Sequence, residues 1–268
     1  MFGASAMGAQ LRNLGAKASL AELRKSVLVQ LGRRSELDYL IAPEAAGDEL
    51  AEALTKLVML PFVKSIVEVG SSDGRGSTSA LIAGIRKRPD QHEVRLFCLE
   101  VSRVRFDKLS QLLSDENYAV PVNLPSVNSE RIATRDSVEL AHSDPDLRLS
   151  QFRLAEVMRW RQQDLDYLLT SGRDVDGIQV VRDRYVVPAI DLALIDGSEF
   201  TGQADAQALR GCRVFVLDDT ETLKGSSAAE EILSWGGYEE VLRRPNVRNG
   251  FAVLVRSEYS AEVRETLY

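Results

Sequence analysis

Strand-like runs alternate with helical patterns from residue 64 to the end of the chain, and this alternation limits the fold more than any other feature. Residues 65–70 form a β-branched run that ends in glycine, and residues 96–100 form a second apolar run. Apolar residues at helical spacing follow each of them. Because parallel strands need a crossover connection, this order predicts an α/β sheet with helices on both faces.

The rhythm is interrupted over residues 123–190, where apolar residues at helical spacing predict a helical insertion. Further strands are predicted at residues 118–122, 190–195, 213–217, 238–242 and 251–255. The last two flank Asn249-Gly250, a pair that supplies the positive φ of a tight turn and predicts an antiparallel hairpin. The expected fold is a Rossmann-like, doubly wound, mostly parallel sheet that ends in this hairpin.

Two regions follow from these patterns. Residues 1–60 read as an N-terminal helical extension, and residues 61–268 read as one domain that contains the insertion. The extension could cover a cofactor, pack on a second subunit in a homo-oligomer, or extend the core. The sequence leaves these three roles open.

Composition excludes several classes of protein. Forty acidic residues against 33 basic ones give a net charge of −7, which argues against a broad nucleic-acid surface. Two cysteines, Cys98 and Cys212, are too few for a disulfide framework and favour a reducing compartment. The longest apolar runs fall short of a membrane span, and charges interrupt the stretch that a signal peptide would need. We therefore expect a soluble, cytoplasmic protein.

The segment between the first strand and its helix is rich in glycine, reading Gly-Ser-Ser-Asp-Gly-Arg-Gly over residues 70–76. Glycines let the backbone turn sharply and let a ligand approach, while the following helix offers free N–H groups. Glu100 ends the second strand, where a carboxylate can accept both hydroxyls of a ribose. The structural alternatives are a tight strand-to-helix connection and a solvated carboxylate.

The spacing within this turn distinguishes between cofactors. A dinucleotide fingerprint would read G-x-G-x-x-G, but Ser72 stands at its middle glycine position. Glu68, two residues before Gly70, would repel a pyrophosphate and suits a ligand that carries an ammonium or sulfonium cation. The turn therefore favours S-adenosylmethionine over NAD.

With these residues the sequence resembles class I S-adenosylmethionine-dependent methyltransferases over about residues 60–256, and most of all bacterial O-methyltransferases of the macrocin and catechol type. The resemblance implies that the glycine turn holds the methionine part of the cofactor and that the acid after the second strand holds the ribose. It also implies a residue beside the adenine near the end of the third strand, and the C-terminal hairpin. The residues assigned to the cofactor are Glu68, Gly70, Ser71, Ser72, Gly74, Glu100 and Ser126.

Acidic residues also follow the fourth and fifth predicted strands. Asp196 comes after the fourth, and the pair Asp218-Asp219 comes after the fifth. Adjacent parallel strands lie about 5 Å apart, so these acids can converge into an oxygen cluster suited to Mg²⁺ or another divalent cation. Alternatively, Asp218 or Asp219 caps the following helix and Asp196 binds the amino group of the cofactor.

The resemblance implies a metal, because metal-dependent members carry acids at these positions. The cation would chelate two acceptor oxygens and lower the pKa of one hydroxyl. Macrocin-type relatives place a histidine soon after the Asp-Gly pair as general base, but Glu199 stands in that neighbourhood here. Glu199 and Asp196 are therefore the candidate catalytic residues. Lys224 follows the Asp218-Asp219 pair without an assigned role.

We expect an S-adenosylmethionine-dependent O-methyltransferase, assisted by a divalent cation, that acts on a hydroxylated small molecule or saccharide. No nucleic-acid or membrane partner is expected. The alternative is a non-catalytic binding or scaffold protein with the same fold, since the sequence does not identify a competent base. A nicotinamide-dependent oxidoreductase is disfavoured by Ser72 and Glu68.

Overall fold

A seven-stranded sheet is the centre of the computed structural model, which describes residues 47–187 and 189–268. Its strands are β1 (Ser65–Val69), β2 (Arg95–Leu99), β3 (Ala119–Val122), β4 (Leu192–Ile195), β5 (Val214–Asp218), β6 (Tyr238–Arg244) and β7 (Phe251–Arg256). They lie in the order β3-β2-β1-β4-β5-β7-β6. Strands β1 to β5 pair in parallel, and β7 is antiparallel to both β5 and β6. The predicted Rossmann-like sheet with its C-terminal hairpin is confirmed.

Nine α-helices of the described residues surround the sheet. They are α1 (Glu49–Leu57), α2 (Ser77–Ile85), α3 (Arg103–Leu112), α4 (Arg135–His142), α5 (Leu154–Ser171), α6 (Gly177–Tyr185), α7 (Gly202–Ala208), α8 (Leu223–Ser234) and α9 (Ser260–Leu267). The helical extension predicted for residues 1–60 lies mostly outside the described residues, and α1 falls within its last part. Helices α4, α5 and α6 occupy the long connection between β3 and β4.

Both faces of the sheet are covered by apolar side chains. On β1, Ile66 packs in a cluster with Leu54 of α1, while its neighbour Val67 packs on the opposite face with Ile178 of α6 and Ile232 of α8. All five side chains are completely buried. Burial on both faces explains why the parallel strands read as continuous apolar runs rather than as alternating patterns.

The helices between β3 and β4 form a third apolar cluster at the edge where the strands end. Val157 and Leu168 of α5 pack there against Phe200, which follows β4, and against Leu223, which begins α8. These two contacts hold the segments that carry Glu199 and Lys224. The helical connection is therefore packed directly on the segments that follow β4 and β5.

The connection between β6 and β7 differs from the sequence prediction. The strands pair antiparallel as expected, but residues 245–250 separate them, so Asn249-Gly250 is not a two-residue turn. Positive φ occurs at Arg248 (54°) and Gly250 (83°). The longer loop turns back toward the end of β5, where the backbone N–H groups of Thr220 and Glu221 donate to its carbonyls.

The cysteines and the lengths of the helices can be compared with the sequence predictions. Both cysteines lie in the described part of the chain, where Cys98 of β2 and Cys212 are buried and free. They act as small buried side chains. Among the described helices, none combines the length and the apolar character that crossing a bilayer would require.

Candidate functional site

The turn between β1 and α2 is pressed against the end of β4. Gly70 has a φ of +86°, and a Cβ at this position would lie 2.1 Å from the carbonyl oxygen of Asp196. Ser72 and Gly74 also have positive φ, at 51° and 84°. Glycine is required at residue 70 because no other residue combines this φ with so close an approach. The turn lies between β2 and β4, where the order of the sheet reverses and ligands bind in such folds.

Glu68 of β1 holds this turn through hydrogen bonds. It is completely buried, and its carboxylate accepts hydrogen bonds from the hydroxyls of Ser71, Ser77 and Thr78, each at 2.7 Å. Burial raises the pKa of Glu68, while the three hydroxyls lower it. These hydroxyls engage the oxygens of Glu68, which are inaccessible, so its place beside a cationic ligand stays a prediction that this arrangement disfavours. Its partner Ser71, another predicted cofactor residue, also points its hydroxyl inward.

Glu100 lies beside the turn, at the end of β2. The backbone N–H groups of Gly70 and Ser71 both donate to the carbonyl of Leu99, which joins the turn to this strand. One carboxylate oxygen of Glu100 accepts the N–H of Ser102 at 2.6 Å. Burial raises the pKa of Glu100. The predicted ribose acid is thus placed next to the predicted methionine turn, and its contact with a ribose stays a prediction.

Ser126 points toward an acid that sequence reasoning missed. Its hydroxyl faces Asp205 of α7, which is completely buried and accepts the hydroxyl of Thr201 at 2.8 Å. Burial raises the pKa of Asp205 to about 7. The assignment of Ser126 to an adenine stays a prediction. Asp205 carried no signal in the sequence, since an acid in the middle of a short helix usually faces solvent.

The three aspartates after β4 and β5 converge as predicted. Asp196, Asp218 and Asp219 each offer an oxygen, and these oxygens lie within 4.8 Å of one another. Their approach follows from the parallel pairing of β4 with β5, in which Ile195 lies opposite Leu217. The side chain of Asp218 is buried, whereas those of Asp196 and Asp219 remain 24% and 20% exposed.

A lysine from α8 occupies the space between these acids. The Nζ atom of Lys224 lies 2.8 Å from Oδ1 of Asp196 and 2.8 Å from Oδ2 of Asp219. The side chain is only 4% exposed. Burial lowers the pKa of Lys224, but the charges of the aspartates raise it by more than burial lowers it. The net pKa is therefore raised, and Lys224 keeps its positive charge. Sequence reasoning gave Lys224 no role, although it follows Asp219 by only five residues and converging carboxylates favour a cation.

The β6–β7 loop supplies further partners to the same acids. A guanidinium N–H of Arg248 donates to Oδ1 of Asp218 at 2.7 Å, and the side-chain amide of Asn249 donates to Oδ1 of Asp219 at 3.0 Å. Burial, followed by the charge of Asp196, raises the pKa of Asp218 to about 7. Arg248 belongs to the loop between β6 and β7, and this loop brings its guanidinium to the end of β5.

The residues present do not fit a divalent cation among these acids. Mg²⁺ needs oxygen ligands at about 2.0–2.1 Å in octahedral geometry. One oxygen of Asp196 and one of Asp219 accept from the ammonium of Lys224, and one oxygen of Asp218 accepts from Arg248. The convergence of the acids is therefore confirmed, while the metal stays a prediction that this arrangement disfavours.

Glu199 has a structural task. One of its oxygens accepts the hydroxyl of Thr222 at 2.9 Å, and the other accepts the backbone N–H of Leu223 at 2.8 Å. Both donors belong to the start of α8, where N–H groups need an acceptor. Burial raises the pKa of Glu199. The carboxylate proposed as general base thus caps the helix that carries Lys224.

The helical connection adds one more acid to the site. Asp164 of α5 accepts a hydrogen bond from the hydroxyl of Ser198, two residues after Asp196. Burial raises the pKa of Asp164, and the hydrogen bond and the charge of Arg105 lower it. Asp164 was not identified from the sequence, because nothing in a helical pattern shows which residue will meet the end of a strand.

No model of a known protein family matches the sequence, and no curated protein matches it. Solved structures with a similar fold include an O-methyltransferase from Bacillus cereus in complex with SAH, at 14% identity and a TM-score of 0.48 over 94% of this chain and 97% of that one. An O-methyltransferase of tomaymycin synthesis from Streptomyces achromogenes and a methyltransferase from Geobacter sulfurreducens each show 12% identity and a TM-score of 0.42 over 94% of this chain and 96% of theirs.

Proposed function

We propose that this protein transfers a methyl group from S-adenosylmethionine to an oxygen of a small-molecule or saccharide acceptor. The observation that carries the proposal is the contact of the glycine turn with the strand ends on both sides. Gly70 packs against Asp196 at the end of β4, and its N–H bonds to Leu99 at the end of β2, next to Glu100. A rigid turn between two acids suits a ligand that carries both a cation and a ribose.

The chain offers a fitting set of groups for this cofactor. The backbone of Gly70, Ser72 and Gly74 would hold its methionine part, and Glu100 would hold its ribose. Glu68 faces inward and would support the turn rather than contact the ammonium group of the cofactor. Bound there, S-adenosylmethionine supplies an electrophilic methyl group.

The residues after β4 support transfer to oxygen. Asp196 has the most exposed side chain of the three aspartates, and its carboxylate can accept the proton of an acceptor hydroxyl. The ammonium of Lys224 is hydrogen-bonded to the same carboxylate, where it can stabilise negative charge on the acceptor oxygen. Asp164 and Ser198, held together at the edge of the site, suit hydrogen bonding to a hydroxylated acceptor.

Replacing the predicted ribose acid tests the cofactor site. In Glu100→Gln, one oxygen that accepts from a hydroxyl becomes an amide donor, and we expect the affinity for S-adenosylhomocysteine to fall about tenfold or more. Isothermal titration calorimetry measures the change. The exposed residue Glu262 of α9 provides the matched control, Glu262→Gln, which should bind like the wild type. Equal affinities in all three proteins would remove Glu100 from the site.

A non-catalytic binding protein with this fold is the second candidate. The observation that favours it is the engagement of Glu199 in capping α8, which leaves the position of the expected histidine base without a free proton acceptor. Such a protein would bind S-adenosylmethionine without transferring its methyl group. Incubation with radiolabelled S-adenosylmethionine and a panel of hydroxylated acceptors distinguishes the two, because only the enzyme produces labelled acceptor.

A further inference from the structure

The acidic cluster after β4 and β5 contains its own cation. We propose that the ammonium of Lys224 takes the place that a divalent metal ion would hold among Asp196, Asp218 and Asp219, so that this site works without a metal. The inference departs from the metal-dependent pattern that the sequence resembles. It rests on a lysine to which that pattern assigns no role.

Geometry is the first support. The distances of 2.8 Å from Nζ of Lys224 to oxygens of Asp196 and Asp219 are those of charge-assisted hydrogen bonds. A divalent ion shared by the same two oxygens would occupy the space of the ammonium group. It would also meet the positive charge of Lys224 at very short range, which water could not screen at a side chain only 4% exposed.

Two further oxygens of the cluster are also engaged. Oδ1 of Asp219 accepts the amide of Asn249, and Oδ1 of Asp218 accepts both Arg248 and the N–H of Asp219. Lys224 and Arg248 together place two positive charges against three carboxylates. Arg248 also pairs with Asp48 at 3.2 Å, so its charge is shared. The two basic side chains therefore offset part of the negative charge of the cluster before any ion arrives.

The position of Lys224 is fixed by its backbone. A Cβ at Gly202 of α7 would lie 2.0 Å from the carbonyl oxygen of Lys224, and a Cβ at Gly225 would lie 2.6 Å from the carbonyl oxygen of Asp219. Glu199 caps the same turn. A cation in the first turn of a helix is disfavoured by the helix dipole. The aspartates offset this cost, so lysine and acids form one unit.

A consequence for the acceptor rests on the proposed function. A divalent ion with open positions can chelate two oxygens of an acceptor. An ammonium has three N–H donors, and two of those on Lys224 point to Asp196 and Asp219, which leaves at most one for an acceptor oxygen. We therefore expect acceptors that present a single hydroxyl at this point, and methyl transfer that EDTA does not affect.

Manganese binding tests the proposal without any cofactor or acceptor. Mn²⁺ is titrated into the full-length protein and followed by electron paramagnetic resonance, for wild type, Lys224→Ala, the charge-preserving Lys224→Arg and the exposed-lysine control Lys108→Ala. We expect stoichiometric binding in Lys224→Ala alone. Its affinity should exceed that of the wild type by about tenfold or more, because three converging carboxylates are left with one cation.

Stoichiometric Mn²⁺ binding by the wild type, displaced by Mg²⁺ and no tighter in Lys224→Ala, would overturn the proposal. Circular dichroism checks that each variant folds. If Lys224→Ala does not fold, Lys224→Met keeps the side-chain volume without the charge. If neither folds, the wild-type titration decides, with absence of binding upholding the proposal. Failure of cofactor binding would leave this result unchanged, so the two proposals are tested separately.

Discussion

Buried acids near the strand ends have partners of different kinds. Three hydroxyls satisfy Glu68, and the amide of Asn249 and the ammonium of Lys224 satisfy Asp219. Asp205 is completely buried like Glu68 but has fewer donors, because only the neutral hydroxyls of Thr201 and Ser126 face it. A carboxylate without a close cation is stable in such a place mainly when protonated. Asp205 is therefore a residue whose ionisation should affect the stability of the fold.

The pH dependence of stability should reveal Asp205. Burial raises its pKa from 3.8 to about 7. Protonated Asp205 therefore stabilises the folded state in full below pH 3.8, and this stabilisation is lost as the pH rises to about 7. In the variant Asp205→Asn the side chain does not ionise, so this decrease in stability does not occur. Between pH 5 and pH 7 we expect the free energy of unfolding of the wild type to fall by about 2 kcal/mol relative to the variant.

Urea denaturation at a series of pH values measures the difference. Asp115→Asn, at an exposed position after α3, serves as the control and should follow the wild type. The difference between wild type and Asp205→Asn cancels the contributions of other groups that titrate in this range, including Asp218. Parallel curves for wild type and Asp205→Asn would show that Asp205 ionises normally.

At the scale of elements, the packing of α7 on α8 determines the shape of the acidic cluster. The two helices approach closely because Gly202 has no side chain to separate them from the backbone of Lys224. Glu199, between β4 and α7, caps α8 and joins the two connections. The cluster is thus held by helix packing as well as by the sheet.

Substituting Gly202 should disturb this packing. In Gly202→Ala the new Cβ would lie 2.0 Å from the carbonyl oxygen of Lys224, so the backbone has to shift. We expect a loss of about 2 kcal/mol in the free energy of unfolding. Chemical denaturation compares it with Glu230→Ala, at an exposed position of α8. A Gly202→Ala variant as stable as this control would contradict the close approach.

The sequence was sufficient to predict the sheet and the convergence of its acids. Buried parallel strands read as apolar runs, and the acids at the ends of β4 and β5 meet because adjacent parallel strands end at one edge. The direction of Glu68 could not be predicted, because a residue near the end of a strand can face either the ligand or the interior. The three hydroxyls that receive it lie in the turn and the following helix.

The basic partners of the three aspartates could not be predicted, because the spacing of residues in the sequence does not show which side chains meet in the fold. Lys224 comes from the first turn of a helix, and its side chain reaches back to the strand ends only because that turn is capped and packed. Arg248 belongs to the six-residue loop 245–250, whereas the sequence predicted a tight turn at Asn249-Gly250. Both are basic residues near acidic ones in the sequence, but the sequence does not tell which of 33 basic residues will be buried.

At the scale of the whole molecule, the described part of the chain gathers its ligand-directed groups on one edge of the sheet. The glycine turn, Glu100 and the cluster around Lys224 follow four strands, β1, β2, β4 and β5, and α5 packs beside them. Five acids account for part of the net charge of −7, yet Glu68 is turned inward and the three aspartates are paired with basic side chains. We therefore expect cofactor recognition to depend on shape and on the remaining exposed oxygens more than on overall charge.

Calorimetric titration of the wild-type protein with S-adenosylhomocysteine and with NAD, both in buffer containing EDTA, tests this account most directly. We predict that S-adenosylhomocysteine binds at one molecule per chain and that NAD produces no binding heat, because the turn carries Ser72 in place of the glycine that a pyrophosphate needs. No binding of S-adenosylhomocysteine at millimolar concentration, or binding of NAD in its place, would contradict the account.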